Sequence, residues 1–440
     1  MTILNEALRA QYNSKLATPE QAAAVVRSGD RVFVGLCSTI AYQLLNALTD
    51  RKDELEDVRI LSTQFQRPSP VFQPEGVGHF RSCSFFIGPW ERNAVSLDNG
   101  EFTSFHLSQS DLWVRDVGRP DVAFLEVSAP DENGYMSYGP SGIAIDACVK
   151  SFAKTVVLQV NPNVPYILGE DNLIHVSEPD LIVEAPDELA TIGEVPVSPE
   201  IETISQLLVD EIPDGACIQL GLGGLANAVG YGLEQKNDLG VHSEMMTDSM
   251  MHLMKMGVIT NARKSFMPGK AVASFALGSK ELYRFLDHNP DLYFMPFTKV
   301  NDPCTIGLND NMISVNTAMA IDLFGQVAAD ALGFHQQSAC GGQIDFVRGA
   351  QRSKGGKSFI AMTSTGESKR LGRYSKIVSA FPPGTAVTTP RSDVQYVVTE
   401  YGCVNLKQLT MQGRVRAMID LAHPDFRPQL RDEARAAGVL

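Results

Sequence analysis

The sequence predicts an α/β protein made of two tandem open, mainly parallel α/β domains of similar build. Three observations carry that expectation. Short β-branched runs alternate with helical patterns, the pattern of a parallel sheet covered by helices. A helix-opening signature occurs twice, at Thr18-Pro19-Glu20 and at Ser198-Pro199-Glu200, each followed by helix, glycine turn and strand. Between the two starts lies APDELATIGEVPVSPE, residues 185–200, with three prolines, four acids and no basic residue. The 440 residues fit two or three domains at about 150 residues each. We place the two domains at 1–190 and 198–440.

In chain order, Thr18-Pro19-Glu20-Gln21 is a capping box with proline at the first helical position, opening a helix to Val26. Ser28-Gly29-Asp30 ends it, and residues 31–35 read as a short buried strand. Residues 41–48 are helical and 58–62 strand-like. The β-branched runs 121–127, 154–160 and 181–184 are bounded by turn residues. After the acidic linker, the second helix runs to Pro213-Asp214-Gly215 and the strand 216–220. A helical pattern at 227–233 and a strand-like segment at 239–243 follow.

The charge balance of 37 basic and 51 acidic residues, a net −14, argues against nucleic acid or an anionic membrane as the partner. Cys37, Cys83, Cys148, Cys217, Cys304, Cys340 and Cys403 are odd in number and form no C-x-x-C pair. That spacing predicts reduced thiols and no metal site. With no signal-like h-region and no apolar run of membrane length, a cytoplasmic protein without a membrane partner is expected.

Three segments are suited to chemistry. Gln219-Leu220-Gly221-Leu222-Gly223-Gly224 follows a strand and opens a helix, so its backbone amides can approach an anionic ligand. Gly221, Gly223 and Ala226 also fit the G-x-G-x-x-A dinucleotide fingerprint, and Glu244, 18 residues past Ala226, could serve as its ribose-binding acid. An NAD-dependent oxidoreductase is therefore the competing reading, and a tight turn without ligand is the plain one. In the second segment, Val241-His242-Ser243-Glu244-Met245, a strand delivers Glu244 near its carboxyl end, where open α/β sheets bind ligands. At the ordinary carboxyl pKa near 4.3 that glutamate is an ionised nucleophile. A solvated strand-end glutamate is the plain alternative. The third segment holds Gly341-Gly342, followed by eight basic residues and one acid between 348 and 376. That island suggests a phosphate-binding region, although Gln351 spoils a Walker A match at Gly356-Lys357-Ser358.

Taken together these strings resemble the acetyl-CoA hydrolase/transferase branch of the class I CoA-transferases, especially the 4-hydroxybutyrate and butyryl-CoA:acetate transferases. In the first half the likeness rests on Val127-Ser-Ala-Pro-Asp-Glu-Asn-Gly134, Ser137-Tyr138-Gly139 and Ile174-His-Val-Ser177. In the second it rests on the glycine loop, Val241 to Met245, Asp322-Leu-Phe-Gly-Gln326, Gly341-Gly-Gln-Ile-Asp-Phe346, Val387-Thr-Thr-Pro-Arg391, Tyr396-Val-Val-Thr-Glu-Tyr-Gly402 and Ala422-His-Pro-Asp-Phe-Arg427.

The resemblance implies an active site between the two domains, with the acyl side in the first and the CoA side in the second. It implies a transfer of CoA from an acyl-CoA to a small carboxylic acid, with Glu244 as nucleophile in a ping-pong sequence through a glutamyl-CoA thioester. Acetate, butyrate, 4-hydroxybutyrate, succinate and itaconate are the acceptors considered, and an acyl-CoA hydrolase is the alternative within the family. Coenzyme A is then the cosubstrate, with no metal and no NAD, and the protein a homo-oligomer, dimer or tetramer. Asn301, Gly341 and Gly342 become oxyanion candidates. Gln219 to Gly224 with Gly341 and Gly342 become the CoA site, to which we add Lys357 from the basic island. Gly35, Cys37, Thr63, Ser137, Tyr138 and Gly139 become the acyl pocket. A dicarboxylate would need a further cation, for which Arg67 and Arg81 are candidates. Three departures stand out: residues 35–41 replace the usual G-H-x-x-G-E-P loop, Gln395 replaces a histidine, and Ser249 replaces a glycine.

Overall fold

The computed structural model describes residues 4–193, 196–221, 223–369 and 372–440. Two compact units emerge: residues 1–193 with 272–300, and 194–271 with 301–440. The second unit is thus not the uninterrupted stretch 198–440. Backbone pairing ties part of the excursion to the first unit: Phe294 donates to Leu168 O at 3.0 Å, and Glu170 donates to Phe294 O at 2.8 Å.

After a helix over Glu6–Asn13, the first unit continues with α1 (Pro19–Ala23), capped as expected by Thr18 but ending earlier than Val26. It leads into β1 (Arg31–Leu36), α2 (Tyr42–Thr49), β2 (Val58–Thr63), β3 (Phe80–Ser84) and β4 (Gly100–Phe102). β5 (Val122–Val127), β6 (Thr155–Val160) and β7 (Leu181–Glu184) complete a seven-stranded sheet in the order β4-β3-β2-β1-β5-β6-β7. Every neighbouring pair in it is parallel. Alternate residues Val32, Val34, Val58, Ile60 and Phe80 join Leu44, Leu45 and Leu48 of α2 in one buried cluster.

The second unit repeats the arrangement. α3 (Pro199–Glu211) precedes β8 (Cys217–Leu220), α4 (Gly224–Gly232), β9 (Gly240–Val241) and α5 (Asp248–Lys255). β10 (Met312–Thr317), α6 (Gln343–Arg352), β11 (Lys357–Ala361), β12 (Tyr396–Thr399) and β13 (Gly402–Asn405) follow. The sheet order is β9-β8-β10-β11-β12-β13, parallel except for the last pair. The run β9-β8-β10-β11-β12 therefore has the same strand sequence as β2-β1-β5-β6-β7, and these are two tandem α/β domains. The turn at Gly223 has φ +114°, which only glycine adopts without strain, and it starts α4 directly after β8. All seven cysteines are free thiols. No helix among the described residues is long and apolar enough to cross a membrane.

Candidate active site

Glu244 is set in place by its neighbours in sequence. Directly after β9, His242 is fully buried, its ring 5.9 Å from Phe266 and 6.3 Å from Phe346. Buried Ser243 donates through Oγ to Leu220 O at 3.4 Å, tying the segment to the end of β8. On the other side Met245 and Met246 are buried, and Thr247 caps α5 by accepting from Met250 N. The chain on both sides being anchored, the glutamate side chain alone is partly accessible.

Its carboxylate meets two donors from distant parts of the same unit. Asn301 Nδ2 donates to Glu244 Oε2 at 2.8 Å, and the Gly342 amide donates to the same carboxylate. Asn301 is wholly buried and precedes Asp302, which caps the short helix Pro303–Ile306 by accepting from Thr305 N at 2.9 Å. Gly342 is the N-cap of α6, so the positive end of the helix faces the carboxylate. A Cβ on residue 342 would lie 2.0 Å from Glu244 Oε2 and 2.1 Å from Asn301 Nδ2, so only glycine fits.

Burial pushes the Glu244 carboxyl up to about 7; the Asn301 hydrogen bond opposes this, the nearby Asp345 charge adds to it, and the Gly342 amide opposes it. The expectation of an ordinary carboxyl near 4.3 is corrected accordingly: removal from water outweighs both donors. A carboxylate of that basicity, fixed by two donors, is a stronger nucleophile than a solvated one and needs little reorganisation to react.

With this geometry in view, residues 2–194 match the acetyl-CoA hydrolase/transferase N-terminal domain, and residues 278–434 match the C-terminal domain. The chain belongs to the acetyl-CoA hydrolase/transferase family. It is 39% identical over 425 residues to a succinyl-CoA:cyclohexane-1-carboxylate CoA transferase of Geobacter metallireducens, covering 97% of this chain and 96% of that one. It is 39% identical over 423 residues to the 4-hydroxybutyrate coenzyme A transferase of Clostridium kluyveri, covering 96% and 97%. The crystal structure of RipA from Yersinia pestis superposes with a TM-score of 0.91 at 34% identity, covering 98% of this chain and 100% of that one. The Geobacter and Clostridium relatives are both named as CoA-transferases.

Within this acetyl-CoA hydrolase/transferase chain, Glu244, Asn301 and Gly342 converge, and Gly341 adjoins them. The glycine loop lies at the carboxyl end of β8 beside the Ser243 anchor, with Leu222 outside the described residues. Gln219 is buried and its amide pairs with that of Asn316 on the neighbouring strand, at 3.3 and 3.5 Å, which leaves only its backbone for a ligand.

Lys357 is not brought to the site. It begins β11, at the opposite end of the parallel strands, and its Nζ pairs with Glu211 at 2.8 Å. The basic island disperses: Arg348 pairs with Asp393 at 3.1 Å, Arg352 donates to Cys304 Sγ at 2.9 Å, and Arg373 pairs with Asp425. Arg370 lies outside the described residues. Sequence spacing hid this, because a helix, a strand and a hairpin separate these residues in space.

Gly35, Cys37 and Thr63 stand at the carboxyl ends of β1 and β2, and Thr63 Oγ1 donates to Phe86 O at 2.6 Å. Ser137 and Tyr138 are 0% exposed and Gly139 is buried. Ser137 Oγ accepts the Gly139 and Ile167 amides, both at 3.1 Å. All three are thus enclosed in the packed interior of the first unit. Arg67 pairs with Asp187 at 2.7 Å and covers the Tyr42 ring at 4.6 Å, while Arg81 pairs with Glu101 at 3.6 Å. Both are committed to internal partners.

Two residues near Glu244 escaped the sequence reading. Asp345, 3% exposed in the first turn of α6, acts on Glu244 by charge. Gln343, one position past Gly342, donates to Thr317 O at 2.9 Å and keeps a buried Oε1 without a hydrogen-bond partner. Both stand in the quoted Gly341-to-Phe346 string, whose glycines alone drew notice.

Proposed function

We propose that this protein moves CoA from an acyl-CoA donor to a small carboxylic acid, with Glu244 as the covalent carrier. The observation that carries the reading is the Glu244 carboxylate held by Asn301 Nδ2 and the Gly342 amide. A carboxylate oxygen attacks the donor thioester carbon, the C–S bond breaks, and an acyl–glutamyl anhydride and CoA thiolate form. The thiolate attacks the glutamyl carbon, the anhydride C–O bond breaks, and the donor acid leaves behind a glutamyl-CoA thioester. The acceptor carboxylate attacks that thioester, freeing the thiolate, which then takes the acceptor acyl carbon and restores Glu244.

A carboxylate suits the task because anhydride and thioester both conserve the group-transfer potential that a serine ester would dissipate. Asn301 and Gly342, already directed at the glutamate, stabilise the oxyanion that forms whenever its carbonyl is attacked. Both donors sit on the glutamate, so the oxyanion on the substrate thioester needs another donor. The backbone amides of Gly221, Gly223 and Gly224 would line the CoA moiety, whose binding energy orients the thioester. The engagement of Arg67 and Arg81 by acids favours a monocarboxylic acceptor such as acetate, butyrate or 4-hydroxybutyrate over succinate or itaconate. The dinucleotide reading of the glycine loop loses its ribose-binding acid, since Glu244 is turned to Asn301 and α6.

Incubation with acyl-CoA followed by borohydride tests the carrier directly. The glutamyl-CoA thioester is reduced, and the peptide containing Glu244 changes mass. An unmodified peptide after demonstrated CoA binding refutes the mechanism. Rapid CoA release in the absence of any carboxylate acceptor would favour hydrolysis over transfer.

A further inference from the structure

The first unit carries a row of arginines that the transfer reaction does not use. Arg31 of β1 stands in register with Arg59 of β2, and Arg59 with Arg81 of β3. Neighbours in register on parallel strands project from one face of the sheet, about 4.8 Å apart. Three like charges side by side oppose folding unless anions compensate them. On the opposite face, Val32, Ile60 and Ser82 continue the packed interior. The arginine face is therefore the one on which charge has to be managed.

Compensation within the unit is partial: Asp121 accepts the Arg31 amide at 2.9 Å and faces its charge, while itself held by Lys154. Arg81 pairs with Glu101 at 3.6 Å. Arg31 Nη1 donates to Val117 O at 3.2 Å, in the π-helical turn Val114–Gly118. Asp116 is engaged by Arg115 through two 2.7 Å contacts. Arg59, in the middle and half-buried, has no side-chain hydrogen bond or ion pair among the described residues.

A cavity of about 230 Å³ opens at this point, lined by Arg31, Arg59, Leu61 and Trp113 and also by Glu101 and Asp116, whose carboxylates are drawn to Arg81 and Arg115. Its aromatic wall is rigid: Trp113 lies 4.9 Å from Phe85, stacks on Phe105 at 5.7 Å and donates to Thr103 Oγ1 at 2.7 Å. We propose that Arg31 and Arg59 form a binding site for a phosphate dianion, separate from the transfer site and independent of the function assigned to it. Two guanidiniums at strand spacing can each donate to oxygens of one tetrahedral phosphate, and a doubly charged ligand offsets both cations.

The phosphate can come free or on a nucleotide, whose base would lie against the aromatic wall. The protein has two tryptophans, so Trp90→Phe leaves Trp113 as the sole indole reporter in the cavity. Titrating that variant with inorganic phosphate, against sodium chloride of equal ionic strength, should give a saturable fluorescence change. The unsubstituted protein should gain about 2–4 °C in melting temperature at saturation. Adenosine monophosphate binding at least tenfold tighter identifies a nucleotide; equal affinity identifies free phosphate. Arg59→Gln, with CoA-transfer activity retained as proof of folding, should lose both responses, and Arg31→Gln repeats the test should the first variant not fold. Responses matched by chloride, or undiminished in both variants, overturn the site.

Discussion

Gly342 and Glu244 approach so closely that a methyl group on residue 342 would lie 2.0 Å from the glutamate Oε2. Backbone and carboxylate are thus in direct contact, and the donor at 342 needs no side chain to reach its target. Relief would have to come from the carboxylate together with the Asn301 amide, 2.1 Å from the same point, because residue 342 is held as the N-cap of α6.

Gly342→Ala should therefore leave the fold intact and displace the nucleophile. We expect kcat for CoA transfer to fall about 10²-fold or more, as misplacement by an ångström does, with the thermal melt nearly unchanged. Steady-state kinetics and calorimetry on the same sample check both parts.

Asn301→Ala removes a buried donor from the carboxylate without adding bulk. Loss of one such donor costs about 10²–10³ in kcat. Because the hydrogen bond favours the ionised form, its loss also raises the Glu244 pKa further. Parallel pH–rate profiles should show both a lower plateau and an ascending limb moved to higher pH.

The unsubstituted enzyme should gain activity as pH rises through about 7, where Glu244 loses its proton. Asp345 raises that value by charge, so Asp345→Asn must move the limb to lower pH. A limb that stays in place would show that Asp345 does not act on the nucleophile through its charge. Glu244→Asp, tested beside it, should abolish transfer, since a shorter side chain leaves both donors.

The sequence disclosed the strands of the sheet centres because period and turn chemistry are local. The Thr18 capping box, the run 181–184 and the start at Ser198 all appear as expected. Edge strands such as Gly100–Phe102 carry too few apolar residues to announce themselves. Glu244 stood out in the sequence by its place past a strand end, and Asn301 and Gly342 only through the family resemblance; their contact with its carboxylate was hidden, because they lie 57 and 98 residues away and meet it only through the fold. Lys357 misled for the converse reason. Its position in a basic run says nothing about which end of a parallel strand it occupies, and that end decides what it can touch.

A second buried carboxyl makes stability depend on pH in a direction that can be worked out. Glu126, on β5 and 2% exposed, accepts from Gln159 Nε2 at 2.8 Å and Asn161 Nδ2 at 3.0 Å. Gln159 in turn accepts the Gln43 and Leu44 amides at the start of α2, so the cluster joins strands to helix. Burial pushes the Glu126 carboxyl from its ordinary 4.5 up to about 8, against the Asn161 hydrogen bond. Folded protein thus holds a proton that unfolded chain releases between those values. The stabilisation is full below 4.5 and falls by about 1.4 kcal/mol per pH unit until 8 is passed. Glu126→Gln keeps the shape and a neutral group, and should remove that slope. Urea unfolding at pH 5, 7 and 9 would then show the variant gaining on the parent as pH rises, with the difference levelling above 8. A constant difference across the range would mean that Glu126 stays ionised in the folded protein, its charge borne by the two amide donors.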